Sequence, residues 1–180
     1  LEVDPAEPRA NQDLDRLLTE LERWADLADH LRHRIDGVLG EPGEIPLRHR
    51  RAELLATRRA GVDGAHDVFE EILALEPHPP TIESLERLVL GESHRLRITR
   101  VLEPVYRAAD QWKKLVVIFD AQQQLTEEPA ERARLLGEIG RLHETRGRDP
   151  ELAFDAWARA FAADPPDPEA RAEVDRLAEV

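Results

Sequence analysis

Few side chains in this sequence have both the type and the spacing that chemistry asks for. Of seven histidines, His30 and His33 stand three residues apart and share a face wherever the chain is helical. Two imidazoles so placed could begin a metal site, but zinc takes three or four ligands, and His49 would have to fold back to supply the next. Neither a His-Glu-x-x-His pair nor an EF-hand loop occurs. The expectation is no metal and no cofactor, with His30 and His33 solvated or bonded between helices. Ser84 and Ser93 are the only serines; His94 follows Ser93, but adjacent side chains diverge and make no triad. With no cysteine there is no thiolate nucleophile, thiolate ligand or disulfide. Gly37-x-x-Gly40-x-x-Gly43 has the glycine density of a phosphate loop, yet no strand pattern precedes it and no lysine follows, so it reads as a helix-ending turn. Acidic neighbours such as Glu70-Glu71 and Glu127-Glu128 read as solvated helix faces, since a glycosidase pair would need a cleft between its carboxylates. No catalytic residue is assigned, and the chain is not expected to be an enzyme.

What the chain does carry is arginine. Of 25 basic residues only Lys113 and Lys114 are lysines, a bias that GC-rich coding produces and that fits a bacterial source. The 38 acidic residues outweigh them, and a net charge of −13 argues against a nucleic-acid partner, whose phosphates would need neutralising. No run approaches the roughly 18 apolar residues of a membrane span, so no membrane partner is expected. No targeting pattern is present, which leaves the cytoplasm as the default compartment. The sequence starts at Leu1 and contains no Met, from which a piece of a longer protein is expected.

The elements that must position these side chains are helical. Ala, Leu, Glu and Arg dominate, and all favour helix. Apolar residues at i, i+3, i+4 and i+7 predict helices near 8–23, 24–37, 45–59, 63–75, 80–90, 93–109, 111–125, 128–146, 149–163 and 167–179. Breakers lie between them at 37–43, 76–80, 91, 127–129 and 165–168. Thr126 ahead of Pro129, and Asp167 ahead of Pro168, look like helix starts. Pro104 falls within a helical pattern and should kink or split it. Trp24, Trp112, Trp157, Phe69 and Phe119 sit at core spacing. The expected core comprises Leu17, Leu27, Leu31, Leu54, Ala65, Phe69, Leu102, Leu115, Phe119, Ala153, Trp157 and Phe161.

The chain also repeats itself. Asp63-Gly64-Ala65-His66-Asp67-Val68-Phe69, leading to Glu76-Pro77, aligns without a gap on Glu151-Leu152-Ala153-Phe154-Asp155-Ala156-Trp157, leading to Asp164-Pro165. The offset is 88 residues, and it also carries Leu14, Leu17, Leu18, Trp24, Leu27 and Leu31 onto Leu102, Val105, Tyr106, Trp112, Leu115 and Phe119. Ala65-x3-Phe69-x7-Pro77 and Ala153-x3-Trp157-x7-Pro165 resemble the second-helix half of a tetratricopeptide repeat, in which Ala lets two helices approach, the aromatic fills the gap to the next unit and Pro starts the following helix. Leu27 and Leu115 stand where the small residue belongs in two further units, and the first-helix Trp-Leu-Gly-Tyr signature is largely missing. The resemblance implies an all-α solenoid of stacked antiparallel hairpins, about ten helices in one repeat domain over 1–180, with one extra helix between Pro80 and Tyr106.

In that family, ligands lie on the concave face, lined by positions 2, 5, 9, 12 and 13 of each first helix. Counting from the anchors gives Arg9, Gln12, Arg16, Thr19 and Glu20; then Leu47, Arg50, Leu54, Thr57 and Arg58. The second half gives Arg97, Arg100, Pro104, Arg107 and Ala108, then Leu135, Glu138, Leu142, Thr145 and Arg146. Arginine is concentrated there, and its fork suits carboxylates. The expected site is therefore Arg50, Arg58, Arg97, Arg100, Arg107 and Arg146, facing an acidic peptide, unless these arginines pair with acids on neighbouring helices. The family's carboxylate clamp also uses Asn and Lys, and is not carried over, because Asn11 is the only Asn and neither Lys is at a groove position. The expected function is a protein–protein interaction scaffold. The alternatives are a regulatory or oligomerisation domain of a larger enzyme or signalling protein, and self-association through end helices.

Overall fold

A computed structural model of the chain describes residues 8–57, 62–89 and 94–179, with 62 and 63 described by their backbone only. Ten α-helices and no strand occur among these residues. They fall into two compact units, Leu1–Arg87 and Leu88–Val180. The first contains α1 (Pro8–Glu20), α2 (Trp24–Asp36), α3 (Glu44–Thr57), α4 (Val62–Leu75) and α5 (Pro79–Leu88). The second contains α6 (Arg95–Ala108), α7 (Trp112–Leu125), α8 (Pro129–Leu142), α9 (Pro150–Ala163) and α10 (Pro168–Leu177). Within each unit successive helices stack as antiparallel hairpins: α1 on α2, α2 on α3 and α3 on α4, then α6 on α7, α7 on α8, α8 on α9 and α9 on α10. None of the described helices is long and apolar enough to cross a membrane.

Corresponding elements recur at the spacing of the sequence repeat. Trp24 opens α2 and Trp112 opens α7; Val62 opens α4 and Pro150 opens α9, 88 residues later in each case. The turns match as well. Glu22 and Asp110 both take the left-handed conformation, with φ of 52° and 54°, and the next residue's N–H returns to Leu18 or Tyr106 at 2.9 Å. Asp149 caps α9 by accepting from Leu152 N–H at 3.0 Å, and Asp167 caps α10 through Glu169 N–H at 3.0 Å, each followed by a proline that needs no partner for its nitrogen. The glycine-rich stretch ends α2, with Gly37 as its C-cap and Gly40 at φ 77°. The Gly40 N–H donates to Glu44 at 2.6 Å; with the Arg48 guanidinium at 2.8 Å, it holds the Glu44 carboxyl below the ordinary glutamate range.

Of the two outcomes expected at Pro104, the split does not occur: α6 runs on through it, with the proline exposed, so water can reach the carbonyl it leaves unbonded. Two expectations are corrected. Leu17 is not in the core: it is 46% exposed, and the buried stripe of α1 is Asn11, Asp15 and Leu18. Helix α8 stops at Leu142 rather than 146 and gives way to a π-helical turn, His143–Gly147, which brings Gly147 against Trp112. Leu54 and Phe161 are half-buried, while the other predicted core residues are buried.

Trp157 is seated between α8 and α9 in a slot made by two glycines. A Cβ at Gly137 would lie 2.8 Å from its Cζ3, and one at Gly140 would lie 2.6 Å from its Nε1. Gly140→Ala should therefore cost about 1–3 kcal/mol by overpacking. Gly64→Ala, where a Cβ meets only Leu55 Cδ1 at 3.8 Å, should gain about 0.5–1 kcal/mol, as expected for Ala replacing Gly in a helix. Urea unfolding of the two variants checks both signs.

Candidate functional site

In the first unit, α1 and α3 border a cavity of about 320 Å³ lined by Gln12, Asp15, Arg16, Thr19, Glu20 and Arg50. Its floor is a buried carboxylate. Asp15 accepts from Arg34 of α2 at 2.7 Å and from Arg50 of α3, and the His30 Nε2 lies 3.4 Å away. An unpaired charge at this depth would be costly, so Asp15 ties three helices together. Burial pushes the His30 imidazole below its ordinary pKa, and the neighbouring Asp15 charge only partly opposes this. Arg16 is held loosely, 3.6 Å from Asp13 and 3.5 Å from Glu20, and its side chain is 63% exposed. The Arg50 side chain is 47% exposed despite its contact with Asp15.

The first helices of the second unit are joined by alternating charges. Arg107 of α6 donates to Glu103 at 3.1 Å and to Glu138 of α8 at 3.0 Å. Glu138 also accepts from Arg141 at 2.7 Å, and Arg141 reaches Glu169 of α10 at 2.5 Å. Each guanidinium lies over an aromatic ring of a second helix, Arg107 over Phe119 at 5.2 Å and Arg141 over Trp157 at 5.3 Å. Arg134 forks onto Glu131 through two bonds of 2.8 Å, and the positive charge of Arg100 helps hold Glu131 ionised. A second cavity, about 400 Å³, opens beside Trp157 and is bordered by Arg134, Arg141, Asp164 and Glu169.

The six predicted arginines are therefore in different situations. Arg50 belongs to the first unit and is bound to Asp15. Arg107 is fixed between two glutamates, and Arg146 contacts Asp110. Arg97 is engaged within the chain and Arg100 is exposed. Arg58 lies outside the described residues. The groove count misplaced Leu135, which is buried because α8 is covered on both sides by α7 and α9. Leu47 and Leu54 pack against Leu18, Leu27 and Leu31 instead of lining a groove.

The histidines are not assembled around a metal: among the described residues, no three or more His, Asp or Glu side chains are arranged to hold one. The Nδ1 of His33 bonds the Asp29 carbonyl at 2.9 Å. His49 turns instead to α5, where its Nδ1 lies 3.1 Å from the Thr81 hydroxyl, and the Nδ1 of His78 lies 2.9 Å from the same oxygen. Next to this bridge, Ser84 bonds Glu53, which also accepts from Arg87 at 3.0 Å. Hydroxyl, imidazole and carboxylate meet here as in a nucleophilic site, yet Thr81 has no exposed surface, so no substrate can meet its oxygen while α5 is docked. Sequence reading missed this cluster. Its one local signal is Thr81 and Ser84 at helical spacing beside the buried Leu85.

No family model and no curated protein matches the chain. Among solved structures it is similar to a Podosopora anserina protein with nearly identical TPR-like repeats of the kinesin light chain type, and to a single-residue variant of that protein. Identity is 16%, the TM-score is 0.34, and the alignment covers 99% of this chain and 96% of the other in both cases.

The different settings of Asp15 and Arg146 give different energetics. Asp15→Asn removes the charge that satisfies Arg34 and Arg50 and should cost about 1–3 kcal/mol. Arg146→Ala breaks an exposed pair and should cost no more than about 0.5 kcal/mol. Equal losses in urea unfolding would show that Asp15 is not the tie between α1, α2 and α3.

Proposed function

We propose that this chain is a protein-interaction module of the tetratricopeptide type, and that its first unit reads an acidic segment of a partner at the α1–α3 cavity. One observation carries the reading. Five of the six residues lining that cavity, Gln12, Arg16, Thr19, Glu20 and Arg50, are positions that the resemblance places on a ligand face. The Arg16 and Arg50 side chains are exposed there, although both already lie beside carboxylates. Arg97, Arg100, Arg107 and Arg146 would give the second unit an arginine-bearing face of its own. Arg107 contributes least, because a peptide carboxylate would first have to displace Glu103 or Glu138. The module would serve equally as part of an adaptor or as a regulatory domain attached to an enzyme. Catalysis plays no part in the proposal.

Contacts between exposed arginines and carboxylates are worth about 0–1 kcal/mol each and are screened by salt. A short fluorescent peptide rich in Asp and Glu should bind weakly at about 0.05 M salt and lose about tenfold or more in affinity at about 0.5 M, as the Debye length shrinks. The same peptide with Asn and Gln in place of its acids should not bind. Replacing Arg16→Glu together with Arg50→Gln should abolish the anisotropy change, and Gln at 50 spares Asp15 a like-charged neighbour. Binding of the neutral peptide, or binding that survives the double substitution, would overturn the reading.

A further inference from the structure

The two units dock their last helix by different chemistry. In the second unit, α10 is held to α8 and the turn after it by ion pairs, Arg141 to Glu169 at 2.5 Å and Arg176 to Glu144 at 2.7 Å. Arg and Glu as residue types have reference pKa values well away from the neutral range. In the first unit the position 88 residues before Glu169 is Thr81, that before Arg141 is Glu53, and that before Gly137 is His49. Here α5 is held to α3 through the His49 imidazole on Thr81, whose hydroxyl also meets His78 just before α5, and through Glu53, whose carboxylate takes Ser84 and Arg87. The buried residues of α5 are Thr81, Ser84 and Leu85, with Ile82 and Leu88 half-buried, so two of the three buried side chains are polar. Docking of α5 therefore depends on a titratable seam in a way that docking of α10 does not.

The hydroxyl sets the logic of the seam. An oxygen with one proton can donate to one Nδ1 while accepting from the other, so one neutral imidazole of each tautomer satisfies the bridge. Adding a proton to the accepting Nδ1 removes that acceptor. The Thr81 proton is then left without a partner, at a position with no exposed surface, and a buried donor without an acceptor is destabilising. A second proton would bring two cations together, since the His49 and His78 rings lie 5.3 Å apart between centroids. The other groups around His49 do not cancel this. Glu53 on its own helix is already bonded to Ser84 and Arg87, Arg87 on α5 is a cation, and from α4 the uncharged Phe69 ring lies 6.1 Å away.

We propose that the His49–Thr81–His78 bridge is a proton-operated latch that holds α5 on α3 at neutral pH and releases it in acid, uncovering the α3 surface around His49 and Glu53. The sign follows from where the proton prefers to bind. Burial, partly offset by Glu53 and reinforced by His78 and Arg87, places His49 below its ordinary value while α5 is docked. Undocking returns it toward about 6.5. The docked state is therefore fully favoured above that value and loses ground as pH falls through the lowered one.

Hydrogen exchange read by mass spectrometry tests this, with α10 as a control of equal length in the same molecule. After correction for intrinsic rates, protection of amides in 79–88 relative to those in 168–177 should fall severalfold between about pH 7.5 and 5.5, toward a ceiling of about tenfold set by one histidine that titrates near about 6.5 when undocked. In the double variant His49→Gln, His78→Gln, whose amides can donate and accept at any pH, the ratio should stay constant. A wild-type ratio that does not change with pH overturns the latch, even if the double variant fails to fold. An acid-induced drop of the same size in the folded double variant overturns it too.

Discussion

Trp157 packs against a helix backbone, and much of the second unit follows from that contact. The ring sits on Gly137 and Gly140 at distances that leave no room for a methyl group, so α8 and α9 pack closely around the indole. Close approach brings Arg141 over the ring, within reach of Glu138 on its own helix and Glu169 on the next. Phe119 does the same for Arg107. The charge ladder across the first helices is thus a consequence of how the second-helix aromatics are seated. The first unit solves the same packing problem with other sizes. Phe69 replaces the indole, and His49 and Ala52 stand at the positions of the two glycines.

That exchange of sizes changes the chemistry of the exposed face. Where the second unit commits Arg107 and Arg141 to internal carboxylates, the first gathers Arg34 and Arg50 on one buried aspartate and leaves Arg16 loosely held at the rim of a cavity. Where the second unit fastens its last helix with Arg and Glu, the first uses imidazoles and hydroxyls. Two copies of one arrangement have come to differ in how tightly their polar groups are held, and it is the less committed copy that has surface and titratable groups to offer.

Much of this was legible in the sequence. The periodicity placed all ten helices, and the Ala-x3-aromatic-x7-Pro spacing marked Ala65, Phe69, Ala153 and Trp157 as packing residues, because these signals are local and repeated. What failed depended on partners distant in sequence. Leu17 and Leu18 are equally apolar; Leu18 is the buried one because α1 turns Asp15 inward toward Arg34 and Arg50. Leu135 was placed on a groove because a count along one helix cannot show that both α7 and α9 cover it. The pairing of arginines with neighbouring acids cannot be assigned from sequence, since Arg107 and Glu138 lie 31 residues apart. His49 and Thr81, 32 residues apart, gave no sign that they would meet.

The central claim is that the two units commit their first-helix arginines differently, and arginine side-chain NMR tests it most directly. Guanidinium rotation is slowed when a fork is held by carboxylates and covered by a ring. Arg107 and Arg141 should therefore show resolved, slowly averaging Nη signals with ring-current shifts on their Cδ protons, while Arg16 averages like a free side chain. Spectra in which Arg107 and Arg141 average as fast as Arg16 would contradict the account.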